Sequence, residues 1–108
     1  MGYTKIQISR ILDKYGLTNF QKKVLLETLK IPKGRTASYK EIAVRIGYPN
    51  AYRAVGTALS KNPLPVVIPC HRVILSNGKI GNYSAGGPKK KLALLNAERA
   101  AVNRAHSQ

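Results

Sequence analysis

Pro69-Cys70-His71-Arg72 contains the only cysteine of the 108-residue chain. A lone thiol is either a small buried hydrophobe, which is its commonest use, or a nucleophile. Pro69 fixes the backbone immediately before the thiol. His71 and Arg72 set positive charge beside it, which favours the reactive thiolate. Both features favour the nucleophile, and the basic character of the surrounding chain points to a target carried on a polyanion.

Glu98 is the second residue with chemical potential. It follows Leu95 and Leu94 by three and four positions, so it shares their side of a predicted helix. A carboxylate among core leucines needs a partner. One arrangement is a Cys–His–Glu relay in which Glu98 orients His71 and His71 takes the thiol proton. That transfer would run through water, because adjacent side chains rarely converge. The other arrangement is a surface Glu98 paired with Lys91 or Arg99, and the spacing allows both. Tyr39 at a helix start, Tyr83, which can stack on a base, and Ser84 complete the polar candidates. Taken alone, each of these three is more often explained as packing, which is the common use of tyrosine.

Nineteen Lys and Arg against four Asp and Glu give a formal net charge of +15. Such an excess predicts binding to a polyanion. General solubility or a thermophile surface is the alternative, but thermophile surfaces carry acids as well as bases. From Ile42 to Ala97 there is no acid and there are eight Lys or Arg. One cysteine excludes an internal disulfide and a Cys-rich zinc cluster. The N-terminus lacks a secretory pattern, and no apolar run has the length of a membrane span. The expectation is one small soluble domain of a reducing compartment, cytoplasmic or, in a eukaryote, nuclear.

The elements that must position these residues are mostly helical. Ile8, Ile11, Leu12 and Tyr15 have helical spacing, and Gly16 ends that segment. Thr18 with Gln21, and Ser38 with Glu41, are capping boxes that open a second and a third helix. The second runs to about Lys30; the third buries Ile42, Ala43 and Ile46 and stops at Gly47. Asn50 is expected to cap a fourth helix running to about Lys61. The third and fourth helices with their short turn read as a helix-turn-helix.

On the fourth helix Ala51, Val55, Ala58 and Leu59 face inward, and Arg53, Gly56, Thr57 and Ser60 face outward. The small outward face permits close approach to a groove, or Gly56 admits a neighbouring helix. Asn62-Pro63-Leu64-Pro65 is a stiff connector leading into an apolar, buried run, Val66-Val67-Ile68. Asn77-Gly78 predicts a hairpin between Val73-Ile74-Leu75 and Lys79-Ile80-Gly81, a small β-wing. Asn82–Gly87 is a glycine-rich loop. Pro88 opens a last helix to about Ala101, and residues 104–108 are expected to fray.

The segment from Asn62 through Pro69-Cys70-His71-Arg72 to Ile74 resembles the active-site signature of the O6-alkylguanine-DNA alkyltransferases. Ser38-Tyr39 with Glu41-Ile42-Ala43, then Arg53-Ala54-Val55-Gly56, then Gly81-Asn82-Tyr83-Ser84, match that family's other motifs in order and spacing. The resemblance runs from about Phe20 to Glu98. It implies a mostly α, winged helix-turn-helix domain over residues 18–103, a helical extension over 1–17 and a flexible tail over 104–108.

The resemblance also implies roles. Cys70 accepts an alkyl group from guanine O6, activated through water by His71, with Glu98 orienting the imidazole. Asn62 ties the connector to the active-site turn. Tyr39 gives a hydrogen bond or proton to the guanine. Tyr83, Ser84, Val73, Gly81 and Pro65 line the substrate pocket, with Ser84 near O6. Arg53 fills the gap left by an extruded nucleotide, and Ala54, Gly56, Thr57, Ser60 and Tyr39 meet the minor groove of double-stranded DNA. Extrusion is required because a stacked base hides its O6 from a thiol.

The implied reaction needs no cofactor or metal, consumes one protein per lesion, and is expected of a monomer. The family's separate N-terminal domain, which binds zinc in some relatives, is not matched, so the chain reads as a minimal version. Two rival readings are a lesion-binding protein without transfer, whose relatives lack the acceptor cysteine, and a basic DNA binder with an inert thiol.

Overall fold

In the computed structural model, which describes residues 4–81 and 83–106, local capping chemistry sets the first three helices. Thr4 opens α1 (Lys5–Leu12): its hydroxyl accepts from the Gln7 N–H while the Gln7 side chain accepts from the Thr4 N–H. Thr18 and Gln21 repeat this at α2 (Asn19–Thr28), and Ser38 and Glu41 at α3 (Tyr39–Arg45). A 3₁₀ turn, Asp13–Tyr15, extends α1 as far as Gly16. Each box satisfies two amide donors that the helix start would leave unpaired. Gly47, at φ 88°, ends the α3 segment in a conformation that costs other residues strain.

The second half of the helix-turn-helix, α4 (Tyr52–Ser60), starts later than the sequence predicts. Ala51, not Asn50, occupies its cap position, and no side chain caps it. The cause lies upstream: the Ala51 N–H donates to the Tyr48 carbonyl at 2.9 Å, closing a turn that leaves Asn50 outside. The expected faces nevertheless form. Val55, Ala58 and Leu59 are buried, and Arg53, Ala54, Thr57 and Ser60 are exposed.

One core joins these helices. Ile8 and Leu12 of α1, Val24 and Leu25 of α2, Ile42 and Ala43 of α3 and the inner face of α4 belong to a single buried cluster with Ile68 and Val73. The first segment is therefore part of the core rather than an appendage.

The sheet departs from the predicted wing. β1 (Ala37–Ser38) and β2 (Val73–Ile74) pair in parallel, with Ala37 opposite Val73. The Asn77-Gly78 turn exists, closed by the Leu75 N–H donating to the Lys79 carbonyl at 2.9 Å. It carries no hairpin ladder among the described residues, because Val73 and Ile74 pair with β1 instead.

The Val66-Val67-Ile68 run is also not a buried strand. Only Ile68 is buried; Val66, at φ 75°, and Val67 are exposed. The Asn62 side chain and the Ile68 N–H bond to the Leu64 carbonyl curl this stretch into a loop. The last helix, α5 (Gly87–His106), begins one residue before Pro88 and continues past Arg104, where the sequence predicts a frayed tail. Met1–Tyr3, Asn82, Ser107 and Gln108 lie outside the described residues. No described helix is long and apolar enough to cross a membrane.

Candidate active site

A cavity of about 840 Å³ opens between the first turn of α3, the length of α4, the loop before α5 and the start of α5. Cys70, 6% exposed, lies in its wall on a 3₁₀ turn, Cys70–Arg72, that follows the connector. Tyr39, Gly81, Tyr83 and Ser84 line the same space, as do Arg53, Gly56, Thr57 and Ser60 from α4. Residues spread over 46 positions are thus gathered around one thiol. Ala54 is exposed but outside the cavity wall.

Two predicted pocket residues are not part of the lining. Val73 is fully buried, because its side chain is committed to the core beneath the β1–β2 pair. Pro65 is exposed on the connector loop, away from the cavity.

Tyr39 stands between two glycines. A Cβ on Gly56 would lie 3.8 Å from its ring, and one on Gly81 would lie 3.3 Å from its hydroxyl. Gly81 also has φ 76°, so both its conformation and its closeness to Tyr39 favour glycine there. What faces Gly56 is this ring, carried on the first residue of the neighbouring helix α3.

Of the predicted relay, the His71–Glu98 contact forms. His71 Nε2 lies 2.9 Å from Glu98 Oε2. Arg72 grips the same carboxylate, Nε to Oε1 at 2.9 Å and Nη2 to Oε2 at 2.7 Å, and its Nη1 donates to the Ile31 carbonyl at 2.8 Å. Burial pushes the Glu98 carboxyl up, but the hydrogen bonds and charges of Arg72 and His71 outweigh it and hold it below its usual range. An ionised Glu98 accepts, so His71 Nε2 carries the proton and Nδ1 is the basic nitrogen. Nδ1 is buried with no hydrogen-bond partner among the described side chains.

The thiol's own environment differs from the sequence expectation. Burial raises the Cys70 pKa, opposed by a hydrogen bond from the Asn62 side chain and by the Lys91 charge. Arg72 does not serve as the thiolate's cation, because its guanidinium is spent on Glu98 and Ile31. Asn62 also donates to the Ile68 carbonyl at 3.0 Å and accepts from the Leu64 N–H at 2.9 Å, bracing the loop that delivers Cys70.

Lys91 and Arg72 take roles that the sequence reading did not assign: Arg72 holds Glu98, and Lys91 lies against Tyr39 rather than pairing with Glu98 at the surface. Lys91 is 1% exposed, with Nζ 3.4 Å from the Tyr39 hydroxyl and 5.6 Å from its ring centroid. Burial lowers its pKa to about 8, against the pull of Cys70. The signal was available: Lys91 precedes Leu95 by four and Glu98 by seven positions, the spacing of one helix face. Burial and the Cys70 charge both raise the Tyr39 and Tyr83 hydroxyls, keeping them protonated donors.

Comparison with known proteins gives a consistent picture. Residues 19–100 match the family described as 6-O-methylguanine DNA methyltransferase, DNA binding domain. A methylated-DNA–protein-cysteine methyltransferase of Methanosarcina barkeri is 53% identical over 77 residues, covering 71% of this chain and 49% of that protein. The chain therefore spans about half the length of this relative. Among solved structures, Mycobacterium tuberculosis OGT in complex with DNA aligns with a TM-score of 0.76 at 49% identity, over 78% of this chain and 52% of that one. S. pombe Atl1, in complex with damaged DNA containing O6-carboxymethylguanine, aligns with a TM-score of 0.63 at 35% identity, over 80% of this chain and 76% of that one.

Proposed function

Since the chain belongs to the 6-O-methylguanine DNA methyltransferase family through its DNA-binding domain, we propose that it repairs duplex DNA by moving the alkyl group of O6-alkylguanine onto Cys70. The observation that carries this reading is a thiol in the wall of a nucleotide-sized cavity, with its sequence neighbour His71 hydrogen-bonded to Glu98.

The outward face of α4 enters the minor groove, and Arg53 occupies the space of the extruded nucleotide. The flipped guanine enters the cavity between Tyr39 and Tyr83, with Ser84 near its O6. His71 Nδ1 takes the Cys70 proton through a water molecule. The thiolate attacks the alkyl carbon, the S–C bond forms as the C–O6 bond breaks, and the electron pair returns to guanine. Tyr39 supplies a proton to the leaving base, and Lys91 lies close enough to offset the passing negative charge. The thioether is stable, so each molecule acts once. Residues 18–103 form the alkyltransferase unit and 1–17 an extension to it.

Intact mass after mixing with a duplex carrying one O6-methylguanine tests this. A gain of one methylene, absent from Cys70→Ala, supports transfer. The rival reading is recognition of the lesion without transfer; S. pombe Atl1, which this chain resembles, is in complex with damaged DNA containing O6-carboxymethylguanine. Tight lesion binding with no mass gain would establish that one instead.

A further inference from the structure

The mouth of the Cys70 cavity holds a pair of side chains that the mechanism above does not use. Lys40, in the first turn of α3, and Tyr52, the first residue of α4, both line the cavity. Lys40 Nζ lies 5.3 Å from the centre of the Tyr52 ring, so the ammonium covers one face of the aromatic. Lys40 is exposed, and Tyr52 keeps 38% of its surface open.

Lys40's sequence neighbour Glu41 does not neutralise it. One Glu41 oxygen accepts from the Ser38 N–H at 3.1 Å, and the other pairs with Arg45 at 3.4 Å. Among the described residues, no carboxylate forms an ion pair with Lys40. An uncompensated cation therefore sits against an open aromatic surface, next to Arg53, at the mouth of a cavity leading to the thiol.

We propose that Lys40 and Tyr52 form a two-part clamp for the DNA strand beside the extruded nucleotide. The ammonium binds the adjacent phosphate, and the open surface of the ring packs on the neighbouring sugar or base. The assignment rests on the alkyltransferase reading for its lesion, but not for its duplex. A strand that delivers a nucleotide to Cys70 must run its backbone across this mouth. A phosphate attracts the ammonium, and a deoxyribose or base face matches the aromatic surface. Cation and ring belong to different helices, so strand binding would also bridge α3 and α4.

The test compares wild type with Tyr52→Ala, Tyr52→Phe, Lys40→Ala and Lys40→Arg. Transfer to Cys70 is timed from a duplex carrying one O6-methylguanine and from the free O6-methylguanine base. Affinity for an undamaged duplex of the same length is measured against salt concentration. Tyr52→Ala is expected to lower the ratio of duplex rate to free-base rate about tenfold, with the ratio restored in Tyr52→Phe. Lys40→Ala is expected to flatten the salt slope by about one, with the slope restored in Lys40→Arg.

A merely structural pair would change both rates together and leave the ratio intact, and that result would overturn the clamp. An unchanged salt slope would overturn it as well. Should wild type transfer nothing from either substrate, the alkyltransferase reading fails. The salt slope of duplex binding would then decide the clamp separately.

Discussion

His71 Nε2 and Glu98 Oε2 lie 2.9 Å apart although 27 positions separate them in the chain, and Arg72 holds both oxygens of the same carboxylate. One acid therefore fixes the imidazole next to the thiol in sequence and, through Arg72, anchors the turn that carries both. Glu98→Gln removes the charge and keeps the shape. We expect the transfer rate to fall by about 10²-fold, within the range attributed to positioned proton transfer, with duplex affinity little changed. Stopped-time transfer assays and anisotropy titrations separate the two quantities. Loss of both in parallel would mean that Glu98 acts chiefly as a structural link to Arg72.

Arg53 is exposed on α4 and lines the cavity beside Gly56 and Thr57. If it replaces the extruded nucleotide in the stack, Arg53→Ala slows transfer from duplex DNA more than from the free alkylated base. Equal slowing on both substrates would rule out that role.

Lys91 gives the protein a particular dependence on pH. Its folded pKa is about 8, below the ordinary lysine value of 10.5 that the unfolded chain has. Between those values the unfolded state binds more protons, so this group makes stability rise with pH. Below about pH 8 both states are protonated and the full penalty of the buried charge persists. Lys91→Met removes the effect. The urea midpoint of wild type relative to that variant should therefore rise from pH 7 to pH 10. A flat difference would show that Lys91 titrates as an ordinary lysine.

Val66 is a β-branched residue at φ 75° whose side chain is 58% exposed. Left-handed backbone costs such a residue more than the 1–2 kcal/mol typical of L-residues, and little packing is lost by trimming it. Val66→Gly is expected to stabilise the fold by about 1 kcal/mol after glycine's own entropy cost. Chemical denaturation measures this, and a lower midpoint would show that the valine is not strained.

Leu12, with no exposed surface, joins the first helix to the common core. Leu12→Ala should cost roughly 2–5 kcal/mol and keep a single cooperative transition. A variant that melts with wild-type midpoint would make the N-terminal segment an independent appendage.

What was legible in the sequence is what acts over three or four residues. The capping boxes Thr18–Gln21 and Ser38–Glu41 appear where the spacing puts them, because each hydroxyl reaches an amide one turn away. The two faces of α4 follow from helical period alone. The Asn50 cap failed on equally local grounds, since the Tyr48–Ala51 turn took up the helix entrance first.

The sequence by itself determined the residue types available for chemistry: one thiol, the histidine beside it, one carboxylate in a basic stretch, and a chain rich enough in cations to meet phosphates. Tertiary structure alone decided which of them meet. Val73 turned from the pocket to β1 because a parallel partner 36 positions earlier satisfied its backbone. Arg72 left the thiol for Glu98 and for the Ile31 carbonyl 41 positions away. Lys91, 52 positions from Tyr39, became the buried cation near Cys70. Such contacts arise only when the core closes, because burial forces each charged or polar group to find a partner wherever in the chain one happens to lie.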